Sequence, residues 1–338
     1  MKNKQILGLV IAGVIFITAG ISSVFSEKLV AQMFSGKGSG SMSTEMASIF
    51  GEGMTSIDLP NENFIGIVRV EGTIQDAGSS SAFSTVSYDH QNTLKYIDKL
   101  IDSNSNRGIL LCVNSPGGTV YHSDELYLKL MEYKEKTGRP IWAYMETQAC
   151  SGGFYVSMAA DKVAANRNAW TGSIGVIISY YNYSDLFDDL GIEEIDITSG
   201  VNKAMGSSGK KLTKEQRAIM QGLVDESYEQ FVGIVAKGRN MSVDKVKELA
   251  DGRLYTAKQA KENGLIDEVS AYDEFELAFR KEVGGGSIVY EPSFTSETLL
   301  SSIFTAYKGA TSKSDAQVLS EFLEKEGNGV PLYYAGNK

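Results

Sequence analysis

Gly108-Ile109-Leu110-Leu111-Cys112-Val113-Asn114-Ser115-Pro116-Gly117-Gly118 is an apolar run that ends in a glycine turn. Residues 108–113 carry no polar side chain, which marks a buried strand, and the Pro-Gly-Gly after Ser115 breaks it. Working outward, residues 64–70 read as another buried strand, and 93–103 as a helix with Leu94, Ile97, Leu100 and Ile101 on one face. On the other side, Ser123 is placed to cap a helix carrying Leu126, Leu130 and Tyr133, which Gly138 and Pro140 stop. Residues 141–145 form the next strand, and 162–165 and 175–178 two shorter ones. Strands alternating with helices predict an α/β fold with a layered, mostly parallel sheet.

Beyond residue 180 the pattern turns helical. Thr213 with Gln216 forms a capping box ahead of a long amphipathic helix bearing Ile219, Leu223, Phe231 and Val235. Thr256 with Gln259 repeats the device, and Gly264 is the stop. No internal repeat is visible. Gly284 to Gly286 marks a break, and residues 326–338 read as a loose tail.

The N-terminus is different in kind. Residues 6–25 are almost unbroken apolar sequence, preceded by Lys2 and Lys4. About 20 apolar residues span a bilayer, and the two lysines place the N-terminus in the cytoplasm, so the rest of the chain is expected outside. A cleaved signal peptide is the alternative, with Ala19 and Gly20 as its weak cleavage site. The expected organisation is a stub and anchor at 1–28, a Ser-, Gly- and Met-rich tether at 29–63, a catalytic domain at 64–283, and an extension with a tail at 284–338.

Composition narrows the function classes. With 338 residues, 42% of them apolar and 22% charged, the chain is globular. A formal charge of -10 argues against broad contact with nucleic acid, which needs a basic face. Cys112 and Cys150 are too few for a disulfide framework and read as small buried hydrophobes. His90 and His122 are the two histidines, neither in a recognisable partner motif, and both read as surface or loop residues.

Four stretches bear on chemistry. Asn114-Ser115-Pro116-Gly117-Gly118 is a tight turn after a buried strand, where bare backbone N–H groups can face a ligand as an oxyanion hole requires; an ordinary strand-ending turn has the same sequence. Ala149-Cys150-Ser151-Gly152-Gly153-Phe154-Tyr155 puts a serine at a helix start beside a glycine amide, although a capping serine looks the same. Trp170-Thr171-Gly172-Ser173-Ile174-Gly175 lies where a histidine base would be sought, and offers only Ser173, which cannot act as a base near neutral pH. Ser199-Gly200-Val201-Asn202-Lys203-Ala204 comes after a strand-like run at 195–198 and contains a lysine with no Asp or Glu from Thr198 until Glu215. Most lysines are solvated surface charges. One that lacks acidic partners and is buried on assembly gives up its proton more readily.

Taken together, residues 64–269 resemble signal peptide peptidase A, the membrane-bound serine proteases of the Clp/crotonase superfamily. The family's Ala-x-Ser-Gly-Gly-Tyr-Tyr pattern is matched by 149–155 with Phe154 for the first tyrosine, its Ser-Gly-x-x-Lys by 199–203, and its Ser-Pro-Gly-Gly turn by 115–118. The resemblance implies Ser151 as nucleophile, Lys203 as general base and Ser173 as the serine that orients the lysine. Asp251 to Tyr255 and Gly264 to Asp267 match the family's downstream signature.

The resemblance implies a fold of repeated ββα units and an endopeptidase acting through an acyl-enzyme, with Gly118 and Gly152 N–H groups as the oxyanion hole. No metal or nucleotide cofactor is needed. It further implies a homo-oligomer standing on the membrane and hydrophobic peptides, such as leftover signal peptides, as substrates. Because one copy of the pattern is present where longer relatives carry two, Ser151 and Lys203 of one site are expected to come from neighbouring subunits. A crotonase-like acyl-CoA enzyme shares the fold and a related oxyanion hole, and a catalytically inactive membrane scaffold is the reading outside enzymology. An outward-facing anchor counts against the first, and the intact Ser151 and Lys203 against the second.

Overall fold

The structure is a computed structural model that describes residues 57–76 and 88–292 and the backbone of 332–334. The expected anchor at 6–25 and most of the tether lie outside the described residues. Among the described residues no helix is long and apolar enough to cross a membrane.

The apolar run forms β2 (Asn106–Ser115), paired in parallel with β1 (Phe64–Glu71) on one side and β4 (Ile141–Cys150) on the other. Side chains alternate across β2: Ile109, Leu111 and Val113 face one core, Leu110 and Cys112 a second. Covering both faces is what lets the strand read as unbroken apolar sequence. The larger core lies under α1 (His90–Asp102), α2 (Val120–Thr137), α3 (Gly152–Ser157) and α5 (Lys214–Arg239). The smaller lies under α8 (Tyr272–Glu282), whose Phe275 and Phe279 pack against Trp142, Tyr144 and Ile65.

The sheet forks at β4. Its first half, Trp142 to Met145, pairs with β5 (Lys162–Ala165), which carries β8 (Glu268–Val269) on its far side. Its second half, Gln148 to Cys150, pairs with β6 (Trp170–Gly172), which meets β7 (Leu254–Thr256) antiparallel. A register irregularity between Val113 and Ser115 accompanies the change of partner. The chain is thus an α/β protein with an eight-stranded, parallel-rich sheet. Past the Gly284 to Gly286 break, β9 (Ile288–Tyr290) still joins this sheet beside β1.

Local signals set most helix ends. Thr213 and Thr256 make the two capping boxes ahead of α5 and α7 (Ala257–Glu262), and Ser242 caps α6 (Val243–Leu249) between them. Gly138 ends α2 in the left-handed conformation. Five expectations change. Thr119, not Ser123, caps α2, its Oγ1 accepting from the His122 N–H, so Ser123 falls inside the first turns. Trp170 to Gly172 takes the strand expected at 175–178, because it can extend β4 while 175–178 finds no ladder. The run at 195–198 is exposed loop, with Ile195 74% and Ile197 99% accessible. On α5 only Phe231, Val232 and Val235 are buried, whereas Ile219 and Leu223 face outward. His90 is no surface residue: it is 1% exposed, between Tyr88 Oη on Nδ1 and Glu125 on Nε2.

The packing predicts a contrast. Phe231 is fully buried with its ring edge-on to Tyr155 at 5.1 Å, so Phe231→Ala should lower unfolding free energy by about 3–5 kcal/mol. Ile197→Ser should change the isolated chain by no more than about 0.5 kcal/mol. Chemical denaturation of the two variants measures both.

Candidate active site

The site is built where β4 ends. Cys150 is the last residue of the strand, and Ser151 turns the chain into α3 with φ 51° and ψ -114°. Positive φ is uncommon for a residue with a Cβ, and such a conformation costs on the order of 1–3 kcal/mol unless its surroundings hold it. Here they do: the Ser151 N–H donates to the Gly172 carbonyl at 2.8 Å, and the Ser151 carbonyl accepts from the Tyr155 N–H at 2.8 Å. Tyr155 in turn donates to Asp124 at 2.5 Å and accepts from Gln230, tying α3 to α2 and α5.

Ser151 stands at the N-cap position, yet its side chain makes no capping hydrogen bond. Thr119, Thr213, Ser242 and Thr256 all cap their helices. Ser151 Oγ is instead buried with no hydrogen-bond partner. A buried hydroxyl left unpartnered at a strained position is explained by chemistry better than by folding.

The glycine turn lies alongside. Ser115 Oγ donates to the Gly72 carbonyl at 2.6 Å and accepts from the Gly117 N–H. Ile74 N–H donates to the Gly117 carbonyl and Thr119 N–H to the Ile74 carbonyl, fastening one edge of β3 (Gly117–Thr119) to Ile74. A Cβ on Gly118 would sit 1.9 Å from the Ile74 carbonyl oxygen, so only glycine fits. Gly152 and Gly118 are neighbours: a Cβ on Gly152 would fall 3.1 Å from Gly118 N. Ser151, Gly152 and Gly118 therefore converge.

The opposite edge of β3 is covered by β10 (Leu332–Tyr334), which runs antiparallel with Tyr333 opposite Gly118. The tail is thus no loose end at this point. A short edge strand with unpaired backbone groups accepts a further strand, and this β10 also touches α2 and α3.

Ser173 has φ 48°, is half-buried, and donates its N–H to the Arg253 carbonyl at 2.8 Å. It comes directly after the glycine that holds the Ser151 amide, so both serines flank one peptide. Lys203 is elsewhere. It sits exposed in a turn between α4 (Ser184–Leu190) and α5, and since Ser151 Oγ has no partner, the lysine of the same chain does not reach it. Lys210 and Lys211 nearby pair with Asp196 and Asp185, whereas among the described residues no carboxylate pairs with Lys203.

The thiols do not compete as nucleophiles. Burial pushes Cys150 up to about 12 and Cys112 likewise to about 12, so neither is a thiolate near neutral pH. The histidines lie together near the start of α2 with ring centroids 4.8 Å apart; burial and then His90 hold His122 below the usual imidazole range. Sequence reasoning missed the β10 strand and the burial of Ser123 next to Gly152, the latter because a serine near a helix start reads as a cap.

Comparison with known proteins identifies the family. The model of peptidase family S49 matches residues 133–284. A protein of Enterococcus faecium whose name places it with signal peptide peptidase SppA is 38% identical over 277 residues, 80% of each chain. Protease 4 of Haemophilus influenzae is 33% identical over 222 residues, 64% of this chain but 34% of that longer one. The chloroplastic serine protease SPPA of Arabidopsis thaliana is 29% identical over 204 residues, 60% of this chain and 29% of that one. With its unpartnered serine on a strained turn beside two glycine amides, the chain belongs to the SppA family of serine peptidases, within peptidase family S49.

Proposed function

We propose that this chain is a membrane-anchored endopeptidase that hydrolyses hydrophobic peptides, residual signal peptides among them, with Ser151 as nucleophile and Lys203 as general base. One observation carries the peptide reading: an extended segment, β10, lies antiparallel on β3 directly beside Ser151. A substrate held in the same way adds a strand to the edge, taking its affinity from backbone hydrogen bonds. Its scissile carbonyl then lies between the Ser151 hydroxyl and the Gly118 and Gly152 N–H groups.

Neutral Lys203 takes the Ser151 proton as Oγ attacks the carbonyl carbon. The resulting oxyanion accepts from the two amides, and the lysine returns the proton to the departing amine. Lys203 then deprotonates the water that cleaves the acyl-enzyme ester. Ser173 positions the amine. The fold is of the Clp/crotonase type, with layered ββα units, and no metal or nucleotide enters the chemistry.

Lys203 of the working site comes from a neighbouring subunit of a cyclic homo-oligomer. Two features support this: the lysine does not reach Ser151 in its own chain, and its surroundings expose Leu190, Ile192, Ile195, Ile197 and Val201. An apolar surface of that kind marks an interaction site. Covering it with the next subunit would take Lys203 out of water. Residues 6–25 are the single membrane span, with the N-terminus cytoplasmic and the catalytic domain extracellular.

Ser151→Ala should abolish peptide hydrolysis while Cys150→Ala stays largely active, as measured with a fluorogenic hydrophobic peptide. The reverse pattern would unseat Ser151. Lys203→Ala should lose several orders of magnitude, and Lys203→Arg should not rescue it because a guanidinium stays protonated. Co-expressed Ser151→Ala and Lys203→Ala chains should regain a fraction of wild-type activity; verified mixed oligomers that remain inactive would mean each subunit is self-contained. The full chain should resist carbonate extraction from membranes, and a mature N-terminus near Ile21 would overturn the anchor.

A further inference from the structure

Ser123 stands on α2 one turn beyond the cap, completely buried, with an Oγ that has no hydrogen-bond partner. Serines at such positions commonly bond back to the carbonyl four residues earlier; this one does not. A buried hydroxyl without a partner costs about 1–3 kcal/mol, and its place explains why the cost persists. A Cβ on Gly152 would come within 2.4 Å of Ser123 Oγ and 3.1 Å of Gly118 N. The hydroxyl and the Gly118 amide therefore wall the same small space against Gly152, beside the only other residue of this neighbourhood with a buried unpartnered hydroxyl among those described, Ser151.

Two orphaned hydroxyls at one glycine have complementary uses. One gives up a proton and attacks. The other, a donor that no protein atom satisfies, is placed where negative charge develops. We propose that Ser123 Oγ donates a third hydrogen bond to the tetrahedral oxyanion, alongside the N–H groups of Gly118 and Gly152. The inference rests on the proposed peptidase activity. It makes Ser123 a catalytic residue that acts only when the carbonyl oxygen becomes an oxyanion, so it contributes to the transition state and little to peptide binding. It also accounts for Gly152 itself, since any side chain there would displace the donor.

The test uses the full-length protein in detergent with a fluorogenic hydrophobic peptide, a peptide aldehyde that forms a tetrahedral adduct with Ser151, and the corresponding product peptide. Ser123→Ala should lower kcat by about 10²–10³-fold, as loss of one oxyanion donor does, with KM changed less than about threefold. Affinity for the aldehyde should fall in step with kcat/KM while product affinity holds. Tm should not drop, because the variant removes an unsatisfied polar group. Ser123→Cys, nearly the same shape but a poor donor, should show the same loss and keeps the test valid if the alanine variant folds badly. Wild-type kcat in either folded variant, or a slowed enzyme whose aldehyde and product affinities move together, would overturn the proposal. Ser151→Ala run in parallel separates the two readings: residual turnover there sinks the peptidase assignment, whereas a dead Ser151→Ala with a fully active Ser123→Ala sinks only the role of Ser123.

Discussion

The hydrogen bond from the Ser151 N–H to the Gly172 carbonyl closes the fork of the sheet, where β4 leaves β5 and takes up β6. It fixes the last peptide of β4 against a strand that is itself pinned, by Thr171 Oγ1 on the Ala149 carbonyl and by β7 on its far side. With that peptide held, Ser151 has no relaxed conformation to fall into. Its positive φ results, and with it the side chain's turn away from the helix it would otherwise cap. The parallel sheet, with both faces covered, makes the constraint rigid enough to matter.

Much of this is legible in the sequence because the deciding signals are local. A glycine pair after an apolar strand and a serine followed by two glycines each read equally as a plain turn or a cap, and only their combination in one chain points to Gly118 and Ser151. The capping boxes at Thr213 and Thr256 need only a few adjacent residues each. What escapes depends on distant partners. Trp170 to Gly172 is a strand only because the end of β4 lies open to it, and Leu332 to Tyr334 only because β3 has a bare edge. His90 looks like any polar residue near a helix start, yet Tyr88 and Glu125 make its burial tolerable. Ser123 is deceptive for a related reason: the helix is capped one turn earlier, at a threonine that sequence alone ranks no higher as a cap.

The run at 195–198 shows a different limit. Its apolar residues and those of Ile219 and Leu223 obey a regular pattern, and nothing among the described residues covers them. Pattern records that a face is to be buried, not which molecule buries it. The smaller core illustrates the converse: Phe275 and Phe279 find Trp142, Tyr144 and Ile65 within the chain and close a second layer.

That second layer also shelters Cys112, as the end of β4 shelters Cys150. With both thiols raised to about 12 by burial, almost none of either exists as the reactive thiolate near neutral pH. Oxidants and disulfides meet neither sulfur. Among the described residues, then, neither cysteine ties the fold to reducing or to oxidising surroundings.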